Sequence, residues 1–233
     1  MPRRTVPLLA MALAGALLPS ACGGGDEGGT QNPTSATRTP SGSAGRTDAG
    51  CRKVPKPAPK QGLRLPKPKV ALSASHSYVA IVRTSCGEFR IALDSRRAPR
   101  TTGSFAYLAR KGFYDRTTFH RIAPGFVIQG GDPLGNGRGG PGYSVVEPPP
   151  KRLRYTRGVV AMAKTQFEPA GTSGSQFFVV TADDAKLPPE YALLGRVTAG
   201  QAVVDRIAAA DIDQQTEAPV DPIVIDSISV ARR

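Results

Sequence analysis

Histidine and cysteine are scarce in this 233-residue chain, two of the former and three of the latter, and tryptophan is absent. The histidines, His76 and His120, and the cysteines, Cys22, Cys51 and Cys86, nowhere cluster at the spacing of a zinc or other metal site, so no metal and no other cofactor is expected. A Ser-His-Asp hydrolase is poorly supplied, because Gly171-Thr-Ser-Gly-Ser175 is not the G-x-S-x-G elbow. Gly135 to Gly140 fits G-x-G-x-x-G, yet Pro141-Gly142 follows where a dinucleotide fold needs a helix. No apolar run reaches the roughly 20 residues of a membrane span; the longest covers about 14, Thr5 to Leu18. With 39% hydrophobic residues against 26 Gly and 22 Pro, part of the chain should not pack, and its length allows one domain with a tail or two small ones.

The start of the chain reads as an address. A short basic segment, the apolar run and the small residues Pro19-Ser20-Ala21 form a secretory signal over residues 1–21. Leu18-Pro19-Ser20-Ala21-Cys22 resembles the bacterial lipobox, which implies diacylglycerol on the Cys22 thiol and an extracytoplasmic protein lipid-anchored to the bacterial cell membrane. Pro19 stands where that motif has Leu, and ordinary cleavage to a secreted protein is the alternative. With Cys22 assigned to lipid, Cys51 and Cys86 are left either as a disulfide in an oxidising compartment or as two free thiols.

Residues 22–75 lack apolar runs, being rich in Gly, Ser and Thr and then in Pro and Lys, and are expected to be a disordered tether that stiffens toward its end. The net charge is +13, which alone would suggest an anionic partner, but about half the excess falls in this tether. Seven cations from Arg52 to Lys69 have no acid among them; solvation is favoured over contact with anionic envelope polymers, and no nucleic-acid partner is expected.

From residue 76 the periodicity changes. Tyr78–Thr84 and Glu88–Leu93 read as a hairpin, and short strands are expected at 119–122, 126–129, 159–163, 176–181, 193–197 and 223–230. Helices fit 100–110, capped by Thr101 or Thr102 and stopped by Gly112, and 202–209. Many short strands with only two helices favour an antiparallel barrel or sandwich, so the fold class is mainly β.

The densest stretch is Phe119-His-Arg-Ile-Ala-Pro-Gly-Phe-Val-Ile-Gln-Gly-Gly-Asp132, with Ser175-Gln-Phe-Phe178 farther on, Gly139-Gly-Pro-Gly-Tyr143, Gly158-Val-Val-Ala-Met-Ala163 and Leu194-Gly-Arg-Val197. Here residues 78–230 resemble the cyclophilin family of peptidyl-prolyl isomerases. The resemblance implies an eight-stranded antiparallel β-barrel capped by two helices, acting on proline-containing polypeptides as a monomer. It implies Arg121 as the catalytic guanidinium, with Gln129 and Phe126 beside it. Phe126, Val127, Phe178 and Leu187 would form the proline pocket, Gln129 and Ala163 would contact the peptide backbone, Phe119, Gln176 and Tyr191 would also take part in binding the substrate, and His120 would support the site.

Those residue types suit the reaction. Rotation about an X-Pro bond faces a barrier of about 18–20 kcal/mol because it breaks amide resonance, and no covalent bond is cleaved, so no nucleophile is needed. Twisting localises a lone pair on the prolyl nitrogen, to which a fixed guanidinium can donate only in the transition state. The sequence departs from the family at Lys186, where many members carry Trp, which implies weak cyclosporin binding. It departs again at Tyr191, where His is frequent, and at Lys164 and the lengthened loop Thr165–Ala170.

Overall fold

The computed structural model describes residues 45–47, 49–69 and 71–233; the expected signal segment and Cys22 lie outside the described residues. Among the described residues, ten strands and two helices follow the order β1 (Tyr78–Thr84), β2 (Gly87–Leu93), α1 (Pro99–Arg110), β3 (Thr117–Ala123), β4 (Val127–Asp132), β5 (Val145–Val146), β6 (Val159–Met162), β7 (Thr172–Ser173), β8 (Phe177–Val180), β9 (Leu193–Ala199), α2 (Gln201–Ala208) and β10 (Ile223–Arg232). Eight strands close an antiparallel barrel in the order β1-β10-β3-β4-β8-β6-β9-β2, and β5 pairs with β7 apart from it. The class is mainly β, a closed eight-stranded barrel with two helices.

Alternation along the strands fills the barrel. Ile122, Ile128, Val179 and Val160 are laterally paired across β3, β4, β8 and β6, and all four point into the main core. Phe105 of α1 meets Phe177 edge-on at 5.8 Å and Tyr114 at 5.0 Å, tying that helix to the barrel. α2 buries Val204 and Ile207.

The helix caps differ from the expected ones. Neither Thr101 nor Thr102 caps α1: the N-cap is Ala98, and Pro99 occupies the first turn, where its missing N–H costs nothing. The first-turn N–H groups of Arg100 and Thr101, which have no partner within the helix, instead donate to the Glu147 carboxylate at 3.1 and 2.7 Å, a cap delivered from 46 residues away. Gly112, with φ +64°, turns the chain out of the helix in the left-handed conformation glycine adopts most readily.

The second half of the expected tether is extended but lies on the barrel. Cys51 and Cys86 form a disulfide, and the Arg52 N–H donates to Ser85 O at 2.8 Å. Lys60 N–H donates to Pro133 O, Leu65 N–H to Pro141 O and Leu72 N–H to Pro99 O, at 2.8 to 3.0 Å, while Leu63 and Leu65 pack against the core. Composition argued that this segment buries too little surface to order itself; a covalent tie and partners on the barrel supply what its own side chains do not.

Candidate active site

Strand register assembles the site. Arg121 on β3 stands opposite Gln129 on β4, which stands opposite Phe178 on β8, in one row on the outer face of the barrel. Strict alternation would have defeated this, since Phe119 points into the core and a residue two places on would follow it. The register between β3 and β4 shifts between Phe119 and Arg121, leaving His120 as the extra residue of a bulge, so Arg121 turns outward while Ile122 returns to the core. Gly130 permits the close strand approach there, because a Cβ at that position would fall 2.9 Å from Thr118 O.

Beside Arg121 lies a second apolar cluster outside the barrel core. Val127 and Phe178 are buried, and Phe126, Ala163, Leu187 and Tyr191 pack around them. Phe178 meets the Tyr191 ring edge-on at 5.4 Å. Tyr155 holds Tyr191 in place: its hydroxyl donates to Tyr191 O at 2.6 Å and accepts from Tyr191 N–H at 3.0 Å. Burial pushes the Tyr155 hydroxyl up to about 12, so it stays protonated for both bonds.

The polar half is a connected network. Arg121 Nη1 reaches Gln129 Oε1 at 3.4 Å, Gln129 Nε2 donates to Gln176 Oε1 at 2.9 Å, and Gln176 Nε2 donates to the carbonyls of Gly137 and Gly139, both at 2.9 Å. That glycine loop is shaped by buried Asp132, whose carboxylate accepts from Leu134, Asn136 and Gly137 N–H. Arg121 Nε donates to Glu217 Oε2 at 2.6 Å in an ion pair with both side chains more than a third exposed. Glu217 has φ +57°, uncommon for a side chain of its size, and its carbonyl accepts from Ile122 N–H at 2.8 Å, beside Arg121.

Of the residues singled out from sequence, Arg121, Gln129, Gln176, Phe126, Val127, Ala163, Phe178, Leu187 and Tyr191 converge on this face. Phe119 does not: it is fully buried in the barrel, 5.9 Å from Phe177 and 6.4 Å from Phe89. His120 sits in the bulge with neither ring nitrogen hydrogen-bonded among the described residues, and burial lowers its pKa below the ordinary histidine value. Glu217, Tyr155 and Asp132 were not singled out. Asp132 carries a local signal in its Gly-Gly-Asp sequence, whereas Glu217 lies in the loop before β10 and reaches the site only by its tertiary contacts with β3. Lys164 folds under the lengthened loop, its side chain only 4% exposed, with Nζ 3.3 Å from Glu190 and 5.6 Å from the Tyr191 ring centroid. Lys186 is exposed and pairs with Asp184 at 3.0 Å.

The family model described as cyclophilin type peptidyl-prolyl cis-trans isomerase matches residues 78–230. Peptidyl-prolyl cis-trans isomerase B of Streptomyces anulatus is 38% identical over 172 residues, covering 66% of this chain and 97% of that protein. A probable peptidyl-prolyl cis-trans isomerase A of Mycobacterium leprae is 34% identical over 180 residues, covering 70% and 97%. The crystal structure of a Cryptosporidium parvum cyclophilin type isomerase superposes with a TM-score of 0.62 at 30% identity, covering 67% of this chain and 98% of that one. The chain therefore belongs to the cyclophilin family and is a peptidyl-prolyl cis-trans isomerase of that class.

Proposed function

We propose that this isomerase works on exported or unfolded polypeptides and that Arg121 stabilises the twisted X-Pro amide without a covalent intermediate. The observation that carries this reading is the row Arg121–Gln129–Phe178, which sets a guanidinium beside an apolar pocket on three adjacent strands. Phe126, Val127, Phe178 and Leu187 grip the pyrrolidine ring, and Gln129 and Ala163 hold the peptide backbone, so rotation is confined to the bond before proline. The ion pair with Glu217 occupies Arg121 Nε and Gln129 takes Nη1, which leaves Nη2 to face the prolyl nitrogen as it becomes pyramidal. A related Cryptosporidium parvum structure was determined in the presence of the dipeptide Ala-Pro, in keeping with a proline-peptide groove on this fold.

The test is isomerisation of a short X-Pro peptide, followed by magnetisation exchange, with the full-length chain and its Arg121→Ala variant. Loss of about 3 kcal/mol of transition-state stabilisation lowers kcat/KM about a hundredfold. A variant as active as the parent refutes the role of Arg121.

The same reading places the enzyme outside the cytoplasm as a monomer, anchored through lipid on Cys22 after removal of residues 1–21, with simple secretion as the alternative. Support for export comes from the signal-like residues 1–21, and for the lipid from the lipobox-like Leu18–Cys22. Metabolic labelling with an alkyne fatty acid, lost in Cys22→Ala, is the expected result, and an unlabelled parent protein refutes anchoring.

A further inference from the structure

A cavity of about 850 Å³ adjoins the site, reached past Gln129, Ala163 and Gln176, with the glycine loop 137–142 forming one side. Its outer wall comes from the docked strap, through Lys60, Leu63 and Arg64. Three contacts hold that wall: Lys60 N–H on Pro133 O, Leu65 N–H on Pro141 O, and Lys60 Nζ donating to Phe113 O at 2.8 Å. Gly142 lies directly beneath Arg64, since a Cβ there would come 3.1 Å from the Arg64 side chain.

The charge lining this cavity is one-sided. Its cations are Lys60, Arg64, Arg138 and Lys164 and its one acid is Glu168, whose carboxylate accepts Thr165 N–H at 2.6 Å. Lys164 is partnered by Glu190 and Lys60 by the Phe113 carbonyl. The Arg64 and Arg138 side chains make no hydrogen bond or ion pair with any described residue, and Arg138 is held only through its backbone N–H on Asn136 Oδ1. Two unengaged arginine side chains lining a cavity that opens beside Gln129 are suited to a carboxylate.

We propose that Arg64 of the strap and Arg138 of the glycine loop form a subsite for an acidic side chain of the substrate polypeptide, flanking its proline. This rests on the isomerase reading for the identity of the polypeptide, and it makes the strap a specificity element: without residues 60–64 the cavity loses its wall and half of its free positive charge. Because both guanidinium groups remain partly in solvent, the preference is modest and is screened by salt.

The experiment measures binding, independently of turnover. Fluorescent peptides with a central Ala-Pro, carrying Glu, Ala or Lys at one flanking position at a time, are titrated by anisotropy against the full-length chain at low ionic strength. At one flanking position the Glu peptide should bind about three- to tenfold more tightly than the Lys peptide, the range of one or two solvent-screened charge pairs. The gap should narrow in about 0.5 M salt, where the screening length falls to a few ångströms. Arg64→Glu with Arg138→Glu, checked by circular dichroism to be folded, should abolish or invert the preference, and reduction of the Cys51–Cys86 bond should weaken it. Equal binding of Glu and Lys peptides at every position, or a preference unchanged in the double variant, overturns the proposal. Charge-selective binding without turnover would sink the isomerase reading and leave the subsite standing; turnover of a neutral peptide without charge preference would do the reverse.

Discussion

Breaking the Cys51–Cys86 bond should separate two quantities that the intact protein holds together, the stability of the barrel and the seating of the strap. The bond joins residues 35 apart, and in the chain-entropy model a loop of that length constrains the unfolded state by about 3–4 kcal/mol. That figure is an upper bound here, because the folded protein also gains freedom when the bond is cut. Between Arg52 and Leu65 the strap is held by backbone hydrogen bonds to Ser85, Pro133 and Pro141, by one from Lys60 Nζ, by the packing of Leu63 and Leu65, and by exposed ion pairs of Arg52 and Lys53 with Asp226 and Asp221. Each hydrogen bond contributes about 1 kcal/mol net and each exposed pair less, against an ordering cost of about 1 kcal/mol per residue or more, so the covalent tie decides the balance. The strap should therefore leave the barrel once the covalent tie is gone.

Limited trypsin digestion of oxidised and reduced protein, read by mass spectrometry, tests this directly. Cleavage after Lys60 and Arg64 should be slow in the oxidised chain and many times faster in the reduced one, while residues 78–232 remain a resistant core. Thermal melts should show the midpoint falling by up to about 15 °C, given roughly 2–4 °C per kcal/mol at this size. Equal cleavage rates and an unchanged midpoint would mean that the strap seats itself without the disulfide, and the reasoning above would be wrong.

Three further outcomes follow from the site. Tyr155→Phe removes the hydroxyl serving both the N–H and the C=O of Tyr191, and should cost about 1–3 kcal/mol in denaturant titrations, with a weakened KM for proline peptides; an unchanged midpoint refutes it. Glu217→Gln keeps the left-handed backbone and removes only the charge beside Arg121: kcat should fall no more than about fivefold, as suits a half-exposed pair, with the melting midpoint nearly unmoved, and a hundredfold loss would make Glu217 a catalytic group and not a positioning one. His120 is buried in its neutral form, so below about pH 6.5 the unfolded chain binds more protons than the folded one; stability should be full above that pH and decline as pH falls beneath it, by at most about 1.4 kcal/mol per unit, and a His120→Gln variant with the same slope would assign the effect elsewhere.

Much of the fold was legible because its signals are local. Strands of four to ten residues with alternating apolar positions, and a helix whose Phe105 and Leu108 share a face, can be read without knowing what they pack against. The β5–β7 pair was not readable, since two residues per strand carry no period. The bulge at His120 left only an indirect mark: Phe119 and Ile122 both face inward three residues apart, which no regular strand permits. The motif around Arg121 pointed to the right face of the barrel yet swept in Phe119, because identity within a motif does not say which way a side chain turns. Glu217 and Glu147 were beyond local reading, for each acts on a partner tens of residues distant that only the tertiary register brings near.

The strap shows the same limit most sharply. By composition, the cations from Arg52 to Lys69 form one uniform basic run. In the structure they divide by what lies beneath them. Arg52 and Lys53 pair with Asp226 and Asp221, Lys60 turns onto a backbone carbonyl, and Arg64 is left facing the cavity beside Gln129. Three of the seven are thus engaged in seating the segment, while Lys56, Lys67 and Lys69 stay exposed without a side-chain partner among the described residues. What makes the difference is Cys51, which fixes the register of everything after it, so that a charge with no partner of its own arrives at the edge of the groove rather than in bulk solvent.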